Sequence, residues 1–479
     1  MLFNSLEFAI FFPFVTGVYF LLARRQQIWW LLVASCVFYM AFIPVYILIL
    51  LVTILIDYFA GLYLEKTSGR ARSGILWISI ISTCAVLCVF KYFAFITGNF
   101  VGLAGLFGWH LSPPVVRIIL PIGLSFHTFQ SLSYVVEVYR GRYKAEADFV
   151  TYATYVMFFP QLVAGPIERP QGLLHQFHDQ HVFDYDRVTG GLKRMAWGFF
   201  KKLVVADRLA LYVNDVYAAP RNFNGLQLTI ATFFFAYQIY CDFSGYSDIA
   251  IGAARVLGIT LRENFDTPYH AASISEFWHR WHMSLSTWFR DYLYIPLGGS
   301  RVAPPRWVAN ILITFAVSGL WHGANWTYAV WGLLNGVYLL AGTITEGIRN
   351  RFFGLLGMAD GTHSRRVVRV STTFGLTLVA WVLFRARTLT DAGYVFTHFW
   401  RDWNFSEIAT EQFLLRQMPV ALGVIVLLEI GEWLQRQPSI PVKIANLPVT
   451  VRWAGYSTLL VGVVLFGIYR NAQFIYFQF

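Results

Sequence analysis

The sharpest chemical signal in the sequence is a histidine between two strongly apolar runs. His322 lies in WHGANW, residues 321–326, which follows FAVSGL and precedes TYAVWGLL. An imidazole at membrane depth is costly unless it has a partner or a task, so such an ionisable side chain is a functional hypothesis. Gly323 and Ala324 leave space beside the ring for a thioester or a hydroxyl substrate. The alternative is a histidine that hydrogen-bonds between helices and only supports their packing.

A second group of reactive residue types lies in FWHRWHMSLSTWFRDYLYIPLGGSR, residues 277–301. On a helix, His279 and His282 are three positions apart and share one face. Two histidines at this spacing can bind a metal, but no third Cys, His or carboxylate follows at a convincing distance, so we predict no metal site. Arg280 and Arg290 favour anion recognition, because a guanidinium holds a phosphate through paired hydrogen bonds. The alternative is that the Trp and Arg residues anchor the segment at lipid headgroups.

Two carboxylates stand at the end of an apolar helix in YCDFSGYSDIAIG, residues 240–252. Asp242 and Asp248 need partners in such a place, because an unpaired buried charge is strongly unfavourable. They either orient a catalytic histidine, bind a cation, or form salt bridges and caps between helices. The sequence leaves these alternatives open.

Two further segments indicate a polar interior. FFPQLVAGPIERP, residues 158–170, is an apolar run broken by Pro and Gly, which is typical of irregular backbone that lines a cavity. His127 and Gln130 lie within one helical turn of each other. We predict that these two residues line or brace the interior.

The elements that must position these residues are membrane helices. The chain has 479 residues, of which 57% are hydrophobic and 13% charged, whereas an average soluble domain has about 25% charged residues. A full crossing takes about 20 residues, and we predict an all-α, polytopic protein with ten to thirteen membrane-embedded helices. The apolar runs lie at roughly 8–23, 28–43, 45–60, 74–97, 114–137, 148–165, 195–215, 226–242, 306–321, 326–346, 370–384, 417–434 and 452–469.

The positive charge of the chain indicates its orientation rather than a nucleic-acid partner. The formal net charge is +11, but Lys and Arg occur in short clusters between apolar runs and not on one basic face. Clusters at residues 24–25, 66–72 and 140–144 are each separated by two predicted crossings. By the positive-inside rule these loops are cytoplasmic.

Taken together, several segments resemble the membrane-bound O-acyltransferase family, and within it the bacterial branch that acylates cell-surface polymers. The matches occur in order from about residue 90 to residue 390. The remainder of the chain resembles the family in hydropathy and in WVLFRARTLTDAG. The segments that carry the resemblance are PIGLSFHTFQSLSY, FFPQLVAGPIERP, YCDFSGYSDIAIG, NFDTPY, EFWHRWHMSLSTWFRDYLYIPLGGSR and SGLWHGANWTYAVWG.

The resemblance implies one integral membrane acyltransferase domain over residues 1–479, with tilted helices around a central funnel. It places the two family histidines at His322 and His282. Relatives often carry Arg and Tyr where this chain has His279 and His127, so we leave these two out of the catalytic pair. The resemblance also implies that the acyl donor enters from the cytoplasm and that the acyl group leaves to the outer side.

From these observations we predict an O-acyltransferase of the bacterial inner membrane that uses acetyl-CoA to O-acetylate an extracytoplasmic polysaccharide such as alginate or cellulose. His322 is the general base, because neutral imidazole titrates near pH 7, and His282 positions the thioester or orients His322. Arg280 and Arg290 bind the phosphates of coenzyme A. No cofactor is bound permanently. The predicted partners are the polysaccharide, reached directly or through a periplasmic acetyltransferase of serine-hydrolase type, and membrane lipids, with no nucleic acid.

Two other functions fit part of the sequence. D-alanyl transfer to teichoic acid uses a carrier protein in place of coenzyme A, and the sequence does not separate these donors. A transporter that flips a polymer precursor fits the number of helices. Transporters are often built of paired halves, which the sequence lacks, and transport leaves the WHGA segment unexplained.

Overall fold

A computed structural model describes residues 1–112, 121–163, 165–403 and 417–469. Within these ranges the regular structure is helical and no strand occurs, which confirms the predicted all-α class. The start of the predicted run 114–137 lies outside the described residues, as does Ala164 in the segment FFPQLVAGPIERP.

Six segments among the described residues are long and apolar enough to cross a membrane. They confirm the prediction of a polytopic membrane protein, whereas the number of ten to thirteen embedded helices stays a prediction. A shorter apolar helix covers Leu6–Leu21. The six segments are Pro44–Lys66, Gly69–Leu106, Trp326–Ile344, His363–Arg385, Met418–Arg436 and Val449–Phe466.

The chain divides into two compact units, and unit 1 comprises residues 1–194, 249–262 and 323–325. The single catalytic domain over the whole chain stays a prediction. The helices of unit 1 are α1 (Leu6–Leu21), α2 (Arg24–Met40), α3 (Ile47–Lys66), α4 (Gly69–Leu87), α5 (Phe93–Leu106), α6 (Leu124–Tyr139), α7 (Phe149–Met157), α8 (Phe159–Leu162), α9 (Pro170–Leu173) and the first part of α10 (Tyr185–Phe199).

Buried polar contacts connect the helices of unit 1. Gln130 of α6 donates its amide N–H to the Tyr155 carbonyl of α7 at 2.6 Å. His127 is buried, and its Nε2 lies 3.3 Å from Thr53 Oγ1 on α3. Since these contacts run between helices, they support the bracing role predicted for His127 and Gln130.

The segment at residues 158–170 has the irregular backbone that its Pro and Gly residues predict. Helix α8 ends at Leu162 and α9 begins at Pro170, with no helix in the described residues between them. The buried Glu168 holds this stretch, because its Oε1 accepts the Arg262 backbone N–H at 2.7 Å. That the segment lines a cavity stays a prediction.

Unit 2 comprises residues 195–248, 263–322 and 326–479, described as far as residue 469 apart from 404–416. Its helices are the end of α10, α11 (Asp207–Ala218), most of α12 (Gly225–Val256), α13 (Ile274–Arg280), α14 (Met283–Phe289), α15 (Pro304–His322), α16 (Trp326–Ile344), α17 (Glu346–Leu355), α18 (His363–Arg385), α19 (Leu389–His398), α20 (Met418–Arg436), α21 (Ser439–Ala445) and α22 (Val449–Phe466).

Helices α15 and α16 approach each other at two glycines. A Cβ on Gly319 would lie 2.2 Å from the Tyr328 carbonyl oxygen, and one on Gly332 would lie 2.2 Å from the Phe315 carbonyl oxygen. No larger residue fits either position without moving backbone, since packed protein interiors have few voids. The small residues therefore set the close crossing that fixes the helix ending at His322.

An aromatic core lies beside this helix pair. Trp281, Trp331 and Trp381 are buried, and the Trp331 and Trp381 rings stack with centroids 6.0 Å apart. Aromatic side chains bury large apolar areas and stabilise cores strongly. The headgroup-anchoring alternative is therefore wrong for Trp281, which packs in the interior of unit 2.

Candidate active site

His322 is the last residue of α15, and its side chain is buried. Its Nδ1 lies 2.7 Å from the Ser318 carbonyl oxygen, one turn earlier on the same helix. Because a carbonyl oxygen only accepts, Nδ1 carries the proton and donates it to this bond. In the neutral ring the basic lone pair is then on Nε2. This is the tautomer that a general base requires.

Aromatic side chains hold the His322 ring in place. The Trp331 ring of α16 meets it edge on, with centroids 4.9 Å apart, and the Phe384 ring of α18 lies at 5.6 Å. Edge-to-face contacts of this kind restrict the orientation of a ring as well as excluding water. The imidazole is therefore preorganised by three different helices.

His282 lies between α13 and α14 and has no exposed surface. Its φ is 43°, in the left-handed region that residues other than glycine seldom adopt. Such backbone conformations concentrate at functional sites, where the surrounding structure enforces them. Burial lowers the pKa of His282 well below its ordinary value, and nearby His322 adds a smaller effect in the same direction. The ring is therefore neutral at physiological pH.

The prediction that His279 and His282 share a helix face is wrong. Helix α13 ends at Arg280 and α14 begins at Met283, so the chain changes direction between the two histidines. His279 is exposed, and its Nδ1 donates to the Ser275 carbonyl at 2.6 Å. It therefore caps its own helix, while His282 turns into the core.

The structure brings His322 and His282 close together, and both rings lie beside Trp321. The Trp321 ring centroid lies 4.9 Å from that of His322 and 6.2 Å from that of His282. Phe243 of α12 contacts the other side of His282, with ring centroids 4.6 Å apart. Two buried imidazoles among aromatic side chains can accept or deliver a proton, as acyl transfer requires.

The two predicted arginines take different positions. Arg290 borders a cavity of about 360 Å³, whose wall also includes Ser318, the residue whose carbonyl accepts a hydrogen bond from His322 Nδ1. Its guanidinium pairs with the neighbouring Asp291 at 2.7 Å and is half exposed. Arg280 instead pairs with Glu276 at 2.7 Å, one turn back on α13. The cavity is lined mainly by apolar side chains, among them Trp278, Met283, Phe289, Ile311, Phe315 and Leu339.

The two carboxylates of α12 form salt bridges with lysines. Asp242 lies 2.6 Å from Lys202 Nζ, which also lies 2.8 Å from Asp207, and Asp248 lies 3.0 Å from Lys201 Nζ. Both lysines are buried. The structure thus gives Asp242 and Asp248 the salt-bridge role, which was one of the alternatives the sequence left open. The two lysines were not predicted as partners, although two adjacent cations inside the apolar run FFKKLVV are a visible signal.

We expect Lys202→Met to destabilise the protein by about 3 to 5 kcal/mol, the usual cost of removing one partner of a buried ion pair. The loss follows because Asp207 and Asp242 then share an interior without their cation. The measurement is the thermal unfolding midpoint in detergent. Lys193→Met is the matched control, since Lys193 is exposed. Equal midpoints for the two variants would contradict the structural role.

Comparison with known proteins identifies the family of the chain. The family model described as "MBOAT, membrane-bound O-acyltransferase family" matches residues 144–355. The probable alginate O-acetylase AlgI of Pseudomonas syringae pv. tomato is 36% identical over 414 residues, which cover 85% of this chain and 77% of that protein. The corresponding protein of Pseudomonas putida is 34% identical and covers 100% of both chains. The peptidoglycan O-acetyltransferase of Helicobacter pylori is 32% identical, over 76% of this chain and 72% of that protein.

A buried histidine pair in an all-helical membrane protein and these similarities define the class. The chain belongs to the membrane-bound O-acyltransferase family, and it is an O-acyltransferase.

Proposed function

We propose that the protein transfers an acetyl group from cytoplasmic acetyl-CoA across the inner membrane, for O-acetylation of an extracytoplasmic polysaccharide. The observation that carries the proposal is the convergence of His322 and His282, both buried and both held in defined orientations. The names of the similar proteins favour acetyl over D-alanyl transfer and favour a polysaccharide acceptor, with alginate as the first candidate.

In this proposal His322 is the general base. Its Nε2 takes the proton of the accepting hydroxyl while that oxygen attacks the thioester carbonyl carbon. The carbon–sulfur bond then breaks, the coenzyme A thiolate leaves, and the proton passes from His322 to that sulfur. The Ser318 carbonyl stabilises the imidazolium that forms in between, because it accepts the Nδ1–H hydrogen bond, with 2.7 Å between Nδ1 and the oxygen. His282 positions the thioester or orients His322.

The cavity bordered by Arg290 is the proposed route by which acetyl-CoA reaches His322. Its apolar walls suit the uncharged arm of the donor, and the half-exposed Arg290 guanidinium suits a phosphate at its mouth. Arg280 extends the positive charge along the same segment. Both arginines have a carboxylate neighbour, so a phosphate has to replace Asp291 or Glu276 as the partner.

The acceptor hydroxyl belongs either to the polysaccharide itself or to a periplasmic acetyltransferase of serine-hydrolase type that relays the acetyl group. The same base serves both routes, since each presents a hydroxyl to His322. Transfer by relay makes ester formation on the polymer depend on the partner, whereas direct transfer does not.

Purified protein in detergent is expected to bind acetyl-CoA with an affinity that falls as salt rises, because screened contacts to phosphate supply much of the attraction. Neutralisation by Arg290→Gln should weaken binding about 5- to 10-fold, a modest loss for one partly exposed charge contact. Isothermal calorimetry or radiolabelled acetyl-CoA measures this affinity, and Arg280→Gln should act in the same direction.

Arg351→Gln is the control for this experiment, since Arg351 is exposed on α17. Arginines that only support packing would lower the unfolding midpoint and leave donor affinity unchanged. A protein that ignores acetyl-CoA but accepts D-alanyl groups from a carrier protein would replace the proposed donor by that alternative.

A further inference from the structure

Asn264 makes an unusually complete set of contacts to the segment that carries His282. Its side-chain Oδ1 lies 3.1 Å from His282 Nδ1, accepts the Ser284 hydroxyl at 2.9 Å and accepts the Ser284 backbone N–H at 3.3 Å. Its Nδ2 donates to Ser247 Oγ on α12 at 3.2 Å. Asn264 is 1% exposed, so these bonds form away from water, where they are strongest.

The backbone of Asn264 holds the same segment. Its carbonyl accepts the Met283 backbone N–H at 2.9 Å, and two residues later the Asp266 N–H donates to the Arg280 carbonyl at 3.0 Å. These two bonds flank His282 on both sides in sequence. They fix the left-handed turn that points the His282 ring into the core, at a φ of 43°.

The neighbouring groups determine which way the Asn264 side-chain amide is turned. Oδ1 faces two donors of Ser284, and Nδ2 faces Ser247, which also has an acceptor oxygen. A flipped amide would place its NH₂ group against the Ser284 backbone N–H. Oδ1 is therefore the atom that faces His282, and His282 Nδ1 has to be the protonated nitrogen. Neutral His282 consequently presents its lone pair on Nε2, as His322 does.

We propose that Asn264 is a positioning residue for acyl transfer, which sets the tautomer and the ring orientation of His282 and is itself held by Ser247 of α12. The inference rests on the proposed function of His282 and adds to it a residue that never touches the substrate. It assigns a task to the segment NFDTPY, in which Asn264 hydrogen-bonds to His282 and the Phe265 ring stacks on it, with centroids 6.4 Å apart.

The consequence is specific to the chemistry of position 264. Alanine removes the acceptor, so the His282 ring can rotate or exchange its tautomer, and the rate of the chemical step should fall about 100-fold, within the usual contribution of a positioned acid or base. Aspartate keeps an oxygen at the same distance. Its negative charge also stabilises protonated His282, so the pKa of His282 rises above its value in the native protein.

The test measures radiolabelled acetyl transfer into polysaccharide by membranes that contain the full-length protein, over a range of pH and donor concentration. Asn264→Ala should lower kcat about 100-fold with little change in KM. Asn264→Asp should restore most of the rate at high pH, and its activity should disappear at a higher pH than in the native protein. This sign follows because neutral His282 is the working form, and a raised pKa means that protonation begins at higher pH.

His322 is the titratable group that faces His282 from α15, and it is present in both the native protein and Asn264→Asp. The difference between their two pH profiles therefore reports the change at position 264. Ser247→Ala removes the hydrogen bond that holds Asn264 Nδ2 and leaves the bond to His282 in place, so it should have a smaller effect than Asn264→Ala. Its rate should change less than about 5-fold, as expected for one neutral hydrogen bond. Thermal midpoints in detergent are measured for each variant.

The possible outcomes distinguish a failure of the role proposed for Asn264 from a failure of the role proposed for the histidine pair. If Asn264→Ala and Asn264→Asp lose activity only in proportion to their loss of folded protein and keep the native pH profile, Asn264 is merely structural and the inference is wrong. If both are active while His282→Asn is inactive, the inference fails and the role of His282 stands. If His282→Asn is fully active as well, the proposed function of the histidine pair fails.

Discussion

Replacement of His322 by alanine is expected to abolish O-acyl ester formation while the amount of protein in the membrane stays normal. A positioned general base contributes about 10²- to 10⁴-fold to the rate, and its loss takes the activity below ordinary detection in an ester assay. Insertion does not need the ring, because His322 is only the terminal residue of α15. The measurement is ester content of the polysaccharide together with the protein level in isolated membranes.

A second variant separates chemistry from packing at this position. The alanine variant also removes contacts to Trp331 and Phe384, so some loss of stability accompanies it. His322→Gln fills similar space and can donate to the Ser318 carbonyl, but it has no basic nitrogen. Both variants should be inactive, whereas His175→Ala and His363→Ala should be silent because both side chains are exposed. Unchanged ester content in His322→Gln would remove His322 from the mechanism.

The sequence predicted His322 because its context is visible within a few residues. One ionisable ring between two apolar runs stands out, and the WHGA segment carries the family resemblance. The predicted apolar run 306–321 ends just before His322, and α15 ends at His322. The sequence did not indicate which groups contact the His322 ring. The Ser318 carbonyl and the rings of Trp331 and Phe384 are contacts of tertiary structure, which no local pattern specifies.

The wrong prediction for His279 and His282 and the overlooked lysines also arise because tertiary contacts are not visible in local sequence patterns. Spacing placed His279 and His282 on one helix face, but the backbone bonds from residues 264 and 266 end the helix at Arg280 and impose a left-handed residue. Tertiary contacts thus overrode a local periodicity. Lys201 and Lys202 were overlooked because hydropathy averages conceal a pair of cations within an apolar run, although their buried carboxylate partners were noticed. A search for the missing countercharge of Asp242 and Asp248 would have found them.

The fold was predictable to the level of its composition. Apolar runs predicted helices in a membrane, and the described residues are helical with six candidate spans. Several predicted runs, such as 195–215, are instead divided, here into the end of α10, a π-helical segment Phe200–Ala206 and α11. Buried ion pairs of Lys201 and Lys202 occupy that π-helical segment. Average hydropathy reveals neither the buried ion pairs nor the break in the helix.

Loss of the His282 ring should be nearly as severe as loss of His322, with a decrease of at least about 100-fold in acetyl transfer. The informative variant is His282→Asn. Asparagine adopts the left-handed region more readily than most residues, so the backbone at φ 43° remains accessible and the loss reports on the ring. His282→Ala should have the same loss of activity with a larger decrease of the unfolding midpoint.

His127→Gln is the matched control for this variant, because His127 is equally buried but lies in unit 1 and contacts Thr53 rather than His322. Glutamine can keep a hydrogen bond to Thr53 Oγ1, so activity should stay within about 3-fold of the native value, as expected for one neutral hydrogen bond. If both buried histidines were equally important for acetyl transfer, burial alone would explain the effect of His282. A large loss in His282→Asn beside a nearly native His127→Gln would instead locate the chemistry at the His322 and His282 pair, whose rings both lie beside Trp321.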